Sequence, residues 1–155
     1  MNMESKYTEV VSKFEDLFRI YDEIYRKPRD FGTGDLLFSA EMNVIMVIGE
    51  ESTDNITEIA NKLRVSKSAV SQIVNKLEKK KFIKRYKARD NNKEVLLQLL
   101  DKGKMALEEH RRYHAILDAP LIKRMMTWTP EQYNFFSITL DEIRRYMENT
   151  LKERM

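Results

Sequence analysis

The sequence predicts a mainly α-helical chain with a single two-stranded hairpin set between short central helices and long terminal ones. Three observations carry that expectation. Apolar residues recur at helical spacing over both ends of the chain, two short capped helices follow one another between Asn55 and Lys80, and two apolar runs flank a polar tip between Phe82 and Leu99. With 155 residues, 42% of them hydrophobic, the chain can bury a core, and four Gly and three Pro leave little room for linkers.

Taken in order, residues 5 to 26 place Tyr7, Val10, Val11, Phe14, Leu17, Phe18, Tyr21, Ile24 and Tyr25 on one broad stripe, ended by Pro28 and the Gly32-Thr33-Gly34 loop. A second helix is expected from Ser39 to Ile48, capped by Ser39 and stopped by Gly49. Asn55-Ile56-Thr57-Glu58 reads as a capping box opening a short helix whose inward stripe is Ile59, Ala60 and Leu63. Arg64-Val65 turns the chain. Ser66 then caps a helix from Lys67 to about Lys80, with Val65 placed to staple onto Val70. Val70, Ile73, Val74 and Leu77 fall at i, i+3, i+4 and i+7 and bury together, which turns Ser68, Ser71, Gln72, Asn75, Lys76 and Lys79 outward. The hairpin is expected to pair Phe82 to Tyr86 with Glu94 to Leu99 across a basic tip, Lys87 to Lys93, where Asp90-Asn91-Asn92 supplies turn chemistry. A helix follows from Asp101, kinked or split by Pro120. Thr129-Pro130-Glu131-Gln132 caps the last helix, Trp128 is placed to staple onto Tyr133, and Tyr133, Phe136, Leu140, Ile143 and Met147 continue as its stripe.

Two short helices joined by a tight turn, the second polar and basic outward, make a helix-turn-helix, and a basic-tipped ribbon directly after it makes a wing. Charge agrees with that reading. Between Lys62 and Lys93 stand twelve Lys and Arg against two acids, Glu78 and Asp90, although the whole chain is only +3, so a +10 stretch sits on a body of about −7. Charge segregated in this way suits a protein that grips a polyanion with one surface, and the expected partner is double-stranded DNA. Hydroxyls, amides and lysines hydrogen-bond base edges and phosphates. Ser68, Ser71, Gln72, Asn75 and Lys76 are the candidate base contacts. Lys62, Ser66, Lys67, Lys79, Arg85, Lys87, Arg89 and Lys93 are the candidates for the DNA backbone or the wing's reach into the minor groove. A winged-helix module serving protein interaction or dimerisation without specific DNA binding is the alternative.

Other classes are excluded. No apolar run approaches the roughly 20 residues of a membrane-spanning helix, so no membrane partner is expected. The amino terminus opens into an amphipathic helix with no basic-then-apolar signal segment, from which cytoplasmic residence is expected. With no Cys there is no thiol switch. There is no Gly-rich phosphate loop and no Ser-His-acid spacing, so no enzyme activity is expected.

Ile59-Ala60-Asn61-Lys62-Leu63, Ser66-Lys67-Ser68-Ala69-Val70-Ser71, Lys76-Leu77-Glu78, Phe82-Ile83 and Leu99-Leu100-Asp101-Lys102-Gly103 resemble the winged-helix core of the MarR family of bacterial transcription regulators. The resemblance is strongest across residues 56 to 103 and implies a homodimer on a palindromic operator, usually a repressor released by a small effector. The family's wing usually carries Asp-Arg-Arg, where this chain has Asn91-Asn92-Lys93. In this scheme 36–103 is the winged helix-turn-helix region, while 1–35 and 104–155 are dimerisation helices, because their apolar supply exceeds what a winged helix alone can cover. Two-fold symmetry then makes the operator an inverted repeat.

No cofactor is required, and the effector is open between a small organic molecule, a divalent metal such as zinc, and none. An organic ligand would sit against aromatics such as Phe14, Phe18, Tyr21 and Tyr113. His110 and His114 stand one helical turn apart, where both imidazoles can reach a single ion. Glu109-His110 with His114 is similar to the zinc-responsive branch of the family, and that resemblance implies Glu23 and Glu41 as further ligands, with Met42 about where the branch has a His.

Overall fold

The computed structural model describes residues 2–50, 55–87 and 95–153, and over them six α-helices and two two-stranded antiparallel sheets follow one another. The chain divides into two compact units, 1–111 and 112–155.

In the first unit, α1 (Met3–Arg26) is capped by Asn2, whose Oδ1 accepts from the Ser5 N–H at 2.8 Å. Its apolar stripe is largely exposed, Tyr7, Leu17, Tyr21 and Ile24 included. Between α1 and the next helix a very short sheet pairs β1 (Arg29–Asp30) with β2 (Leu36–Leu37), where a plain loop was expected. Asp30 closes it by accepting from the Thr33 and Gly34 N–H groups at 2.8 and 3.1 Å.

Two expectations about the second helix, α2 (Ser39–Glu50), need correction. Ser39 is not its cap: its hydroxyl donates to the Tyr25 carbonyl at 3.1 Å, and the free Phe38 N–H is taken by Glu41 Oε2 at 2.9 Å instead. Nor does Gly49 stop the helix. It lies where Leu107 packs against α2, since a Cβ there would lie 2.2 Å from Leu107 Cδ2.

The two central helices form as expected. In α3 (Ile56–Leu63) Asn55 Oδ1 accepts from the N–H groups of Thr57 and Glu58, and Glu58 Oε2 returns to the Asn55 N–H at 3.1 Å. In α4 (Lys67–Lys79) Ser66 Oγ accepts from the Ala69 N–H at 3.2 Å. Each helix is closed off by a residue with positive φ, α3 by its C-cap Arg64 at 54° and α4 by Lys81 at 61°, one residue past its C-cap Lys80; glycine usually takes such positions. The wing pairs β3 (Ile83–Lys87) with β4 (Val95–Leu99) in a register that sets Ile83 opposite Leu99 and Arg85 opposite Leu97. Its expected tip, including Arg89, Asp90, Asn91, Asn92 and Lys93, lies outside the described residues.

The core sits where α2, α3, α4 and the wing meet. Val44, Ile45, Ile59, Val70, Val74, Leu77, Phe82 and Leu97 are fully buried. Each such side chain contributes about 1.5–3 kcal/mol by leaving water. The first part of α5 (Asp101–Met125) closes this core with Ala106 and Leu107, and Gly103 lets it approach until a Cβ would lie 2.3 Å from the Phe82 carbonyl oxygen.

The second unit holds the rest of α5 and α6 (Pro130–Glu153). Pro120 does not split α5, which continues to Met125. Proline removes only its own N–H donor, and the bonds of the flanking turns carry the helix across. Thr129 and Gln132 cap α6 reciprocally: the Gln132 N–H donates to Thr129 Oγ1 at 3.3 Å and the Thr129 N–H to Gln132 Oε1 at 3.0 Å. Trp128 packs edge-on against Phe136, one turn further along than the expected Tyr133, with centroids 5.1 Å apart. No described side chain of α6 is buried. Among the described residues no helix is long and apolar enough to cross a membrane.

Candidate nucleic-acid interface

Burial of Val70, Val74 and Leu77 fixes the rotation of α4 and so decides what it presents outward. Ser68, Gln72, Asn75, Lys76 and Lys79 are exposed and Ser71 is half-buried, all on the face opposite the core. At the helix start Ser68 Oγ lies 3.0 Å from Ser66 Oγ, so the cap and the first outward hydroxyl share a hydrogen bond. Unpaired backbone N–H groups and the positive end of the helix dipole make this end attractive to an anion, and Lys67 adds its exposed charge there. Lys62 on α3 and Lys87 on the wing are also exposed. The one acid of α4 is Glu78, three residues after Asn75.

Glu78 is neutralised inside the fold. Arg85, expected to hold DNA, instead turns its guanidinium onto α4: one terminal nitrogen pairs with Glu78 and the other donates to Asn75 Oδ1 at 2.7 Å. Residues 75 and 78 are three apart, hence neighbours on one helix face, and a planar two-armed donor spans them. The wing strand is thereby pinned to the outward face of α4. Sequence reasoning missed this latch, although Glu78, the one acid of the basic helix α4, was a sign that it had a partner. It also passed over Lys81 and Lys84, both exposed.

A second set of charges ties the α1–α2 connection to the helices around the core. Lys80 donates to the Leu36 carbonyl at 3.0 Å and to Glu41 Oε1 at 3.3 Å. Lys102 pairs with Asp35 and lies 4.9 Å from the Phe82 ring centroid. The hydrogen-bonded ammonium of Lys102 holds the Asp35 carboxyl below its ordinary range.

The candidate effector residues are dispersed. Phe14, Phe18 and Tyr21 lie along α1 in the first unit, with Phe14 and Phe18 stacked at 6.5 Å between centroids, while Tyr113 belongs to the second unit. Of the metal candidates, Glu23 is exposed and bonded to Arg19 on its own helix, His114 faces Asp118 at 3.5 Å, and His110 lies edge-on to Phe31. Glu41 is 5% exposed with both oxygens engaged, by Phe38 and Lys80. Among the described residues no three His, Asp or Glu side chains converge on one point.

Comparison with known proteins matches residues 39–95, from the start of α2 to the first residue of β4, to the model of the MarR family. Over that stretch the chain is similar to the MarR family. The chain is 29% identical to the HTH-type transcriptional regulator YhjH of Bacillus subtilis, over 86% of its own length and 79% of that protein's. Its fold is that of the zinc-responsive MarR family member ZitR of Lactococcus lactis, at a TM-score of 0.72 and 18% identity over 91% of this chain and 98% of that one. It is also that of Streptococcus pneumoniae FabT in complex with DNA, at 0.64 and 22% identity over 96% and 99%. The relative matched over most of the chain is named a transcriptional regulator, not an enzyme.

Proposed function

We propose that this chain is a MarR-family regulator that binds an inverted-repeat DNA operator as a homodimer, acts as a repressor and is released by a small effector. The observation that carries the reading is the outward face of α4, where Ser68, Gln72, Asn75, Lys76 and Lys79 stand exposed together on a helix fixed by its buried side. Side chains of this chemistry suit the base edges and phosphates of a major groove. Lys62, Ser66, Lys67 and Lys87 flank that face and hold phosphates, and Arg89 and Lys93 extend the grip from the wing. In the division of labour that follows, 36–103 reads DNA and 1–35 with 104–155 makes the dimer. The exposed apolar side chains of α1 and α6, among them Leu17, Ile24, Phe135 and Phe136, support a second copy as their cover. A two-fold pair sets its recognition helices about 34 Å apart, one turn of DNA, so half-site spacing and dimer geometry must agree.

The effector that best suits the residues is a small organic molecule held by α1 aromatics rather than zinc, because zinc would have to take Glu41 from Lys80 and from the start of α2. DNA as partner implies a cytoplasmic protein.

Fluorescence anisotropy with the duplex upstream of the protein's own gene and with a scrambled duplex, at two salt concentrations, tests the reading. The native duplex is expected to bind about a thousandfold more tightly than the scrambled one. Its log affinity should fall with log salt by about 0.9 per phosphate contacted. Equal affinity for the two duplexes would identify a protein-interaction module instead, and a shift of the curve on adding zinc would overturn the choice of effector.

A further inference from the structure

The latch between the wing and α4 decides which base Asn75 can read. Arginine carries only donors, so the amide atom 2.7 Å from Arg85 must be the carbonyl oxygen, however the amide is drawn. The amide is exposed, and its NH2 group, a pure donor, stays wholly open to a partner, whereas Oδ1 keeps one lone pair beside a cation. Adenine is read by asparagine through both ends at once, Oδ1 accepting from the adenine amino group while Nδ2 donates to N7. With one of the two lone pairs of Oδ1 taken and a guanidinium cation beside it, that pairing is disfavoured, because adenine would bring its amino donor up to the donors of the arginine. Guanine offers two adjacent acceptors, N7 and O6, and no major-groove donor.

Given the DNA-binding reading above, on which this rests, the geometry points to Arg85 as a specificity-positioning residue that turns Asn75 into a reader of guanine. Arg85 has no need to touch DNA for this. Glu78 completes the device by holding the second arm of the guanidinium, so that the amide is gripped by a side chain itself fixed in two directions. Swapping Arg85 for Lys would not conserve the arrangement, because an ammonium lacks the planar fork that spans residues 75 and 78.

Selection of bound duplexes from a random library, by the full-length protein and its variants, tests this. For the wild type, the base pair whose preference disappears in Asn75→Ala should be G·C, with a loss of discrimination there of about fivefold or more. In the charge-balanced double variant Glu78→Gln with Arg85→Met the amide is released, and the preference at that pair alone should move toward A·T. A merely structural Arg85 would lower affinity for every sequence and leave the base preference where it was. Replacing the selected guanine by 7-deazaguanine is an independent check that needs no latch variant: it should weaken wild-type binding and leave Asn75→Ala unchanged. An Asn75-dependent pair that is A·T in the wild type, or a preference unmoved by the double variant when thermal unfolding shows it folded, overturns the inference while leaving DNA recognition intact. A library that enriches no sequence overturns the DNA-binding reading, and this inference with it.

Discussion

Arg64 and Gly103 show how single residues set the geometry of the reading head. Arg64 ends α3 in the left-handed region at φ 54°, and its Cβ meets the steric penalty that glycine escapes. Arg64→Gly is therefore expected to raise stability by about 1 kcal/mol, once the greater freedom of glycine in the unfolded chain is set against the relieved strain. Gly103 is the opposite case. A methyl group there would lie 2.3 Å from the Phe82 carbonyl oxygen, a backbone atom in a turn whose oxygen already accepts from the Leu100 N–H at 2.9 Å. Gly103→Ala should destabilise by about 1–3 kcal/mol as α5 is pushed off the wing. Thermal unfolding of the two variants should move in opposite directions; a common direction would mean that backbone strain and close approach have been assigned to the wrong positions.

Between elements, the connection from α1 to α2 is held by charges rather than by apolar packing alone. Lys80, just past the end of α4, and Lys102, in the first turn of α5, draw in Leu36, Glu41 and Asp35. Because Lys102 depresses the Asp35 carboxyl below its ordinary value of 3.8, the folded state binds that proton less readily than the unfolded chain does. The pair thus contributes stability above that value, and the contribution is lost as pH falls through the lower folded value. Asp35→Asn should lower the midpoint of thermal unfolding at neutral pH, with the difference from wild type shrinking below pH 3.8. A constant difference across the acid range would remove the carboxylate from this role.

At the scale of the whole molecule, exposed Leu17, Ile24, Ile116, Leu121, Phe135 and Tyr146 are more apolar surface than a stable monomer usually leaves in water. The proposed homodimer covers it. Sedimentation equilibrium is expected to give twice the chain mass of 18.5 kDa. A single-chain mass at every concentration tested would remove the two-fold geometry and the inverted-repeat operator together.

The amino-acid sequence alone determined the elements and the outward chemistry of α4, because helical periodicity, the Asn55–Glu58 and Thr129–Gln132 boxes and the Ser66 cap act within a few residues. It failed where the partner lies far along the chain. Ser39 was taken as a cap because serine before a helix usually is one, yet its hydroxyl is claimed by Tyr25, fourteen residues earlier. Gly49 looked like a stop, but its missing side chain answers to Leu107, which no local pattern reveals. The charge of Arg85 makes it a candidate for the DNA backbone, but that it also holds Glu78 and Asn75 comes only from the hairpin register, which sets it opposite Leu97 beside α4. Local hydrogen bonding and periodicity are written in neighbouring letters; which face meets which, and which charge is spent inside the fold, is decided by packing over long sequence separations.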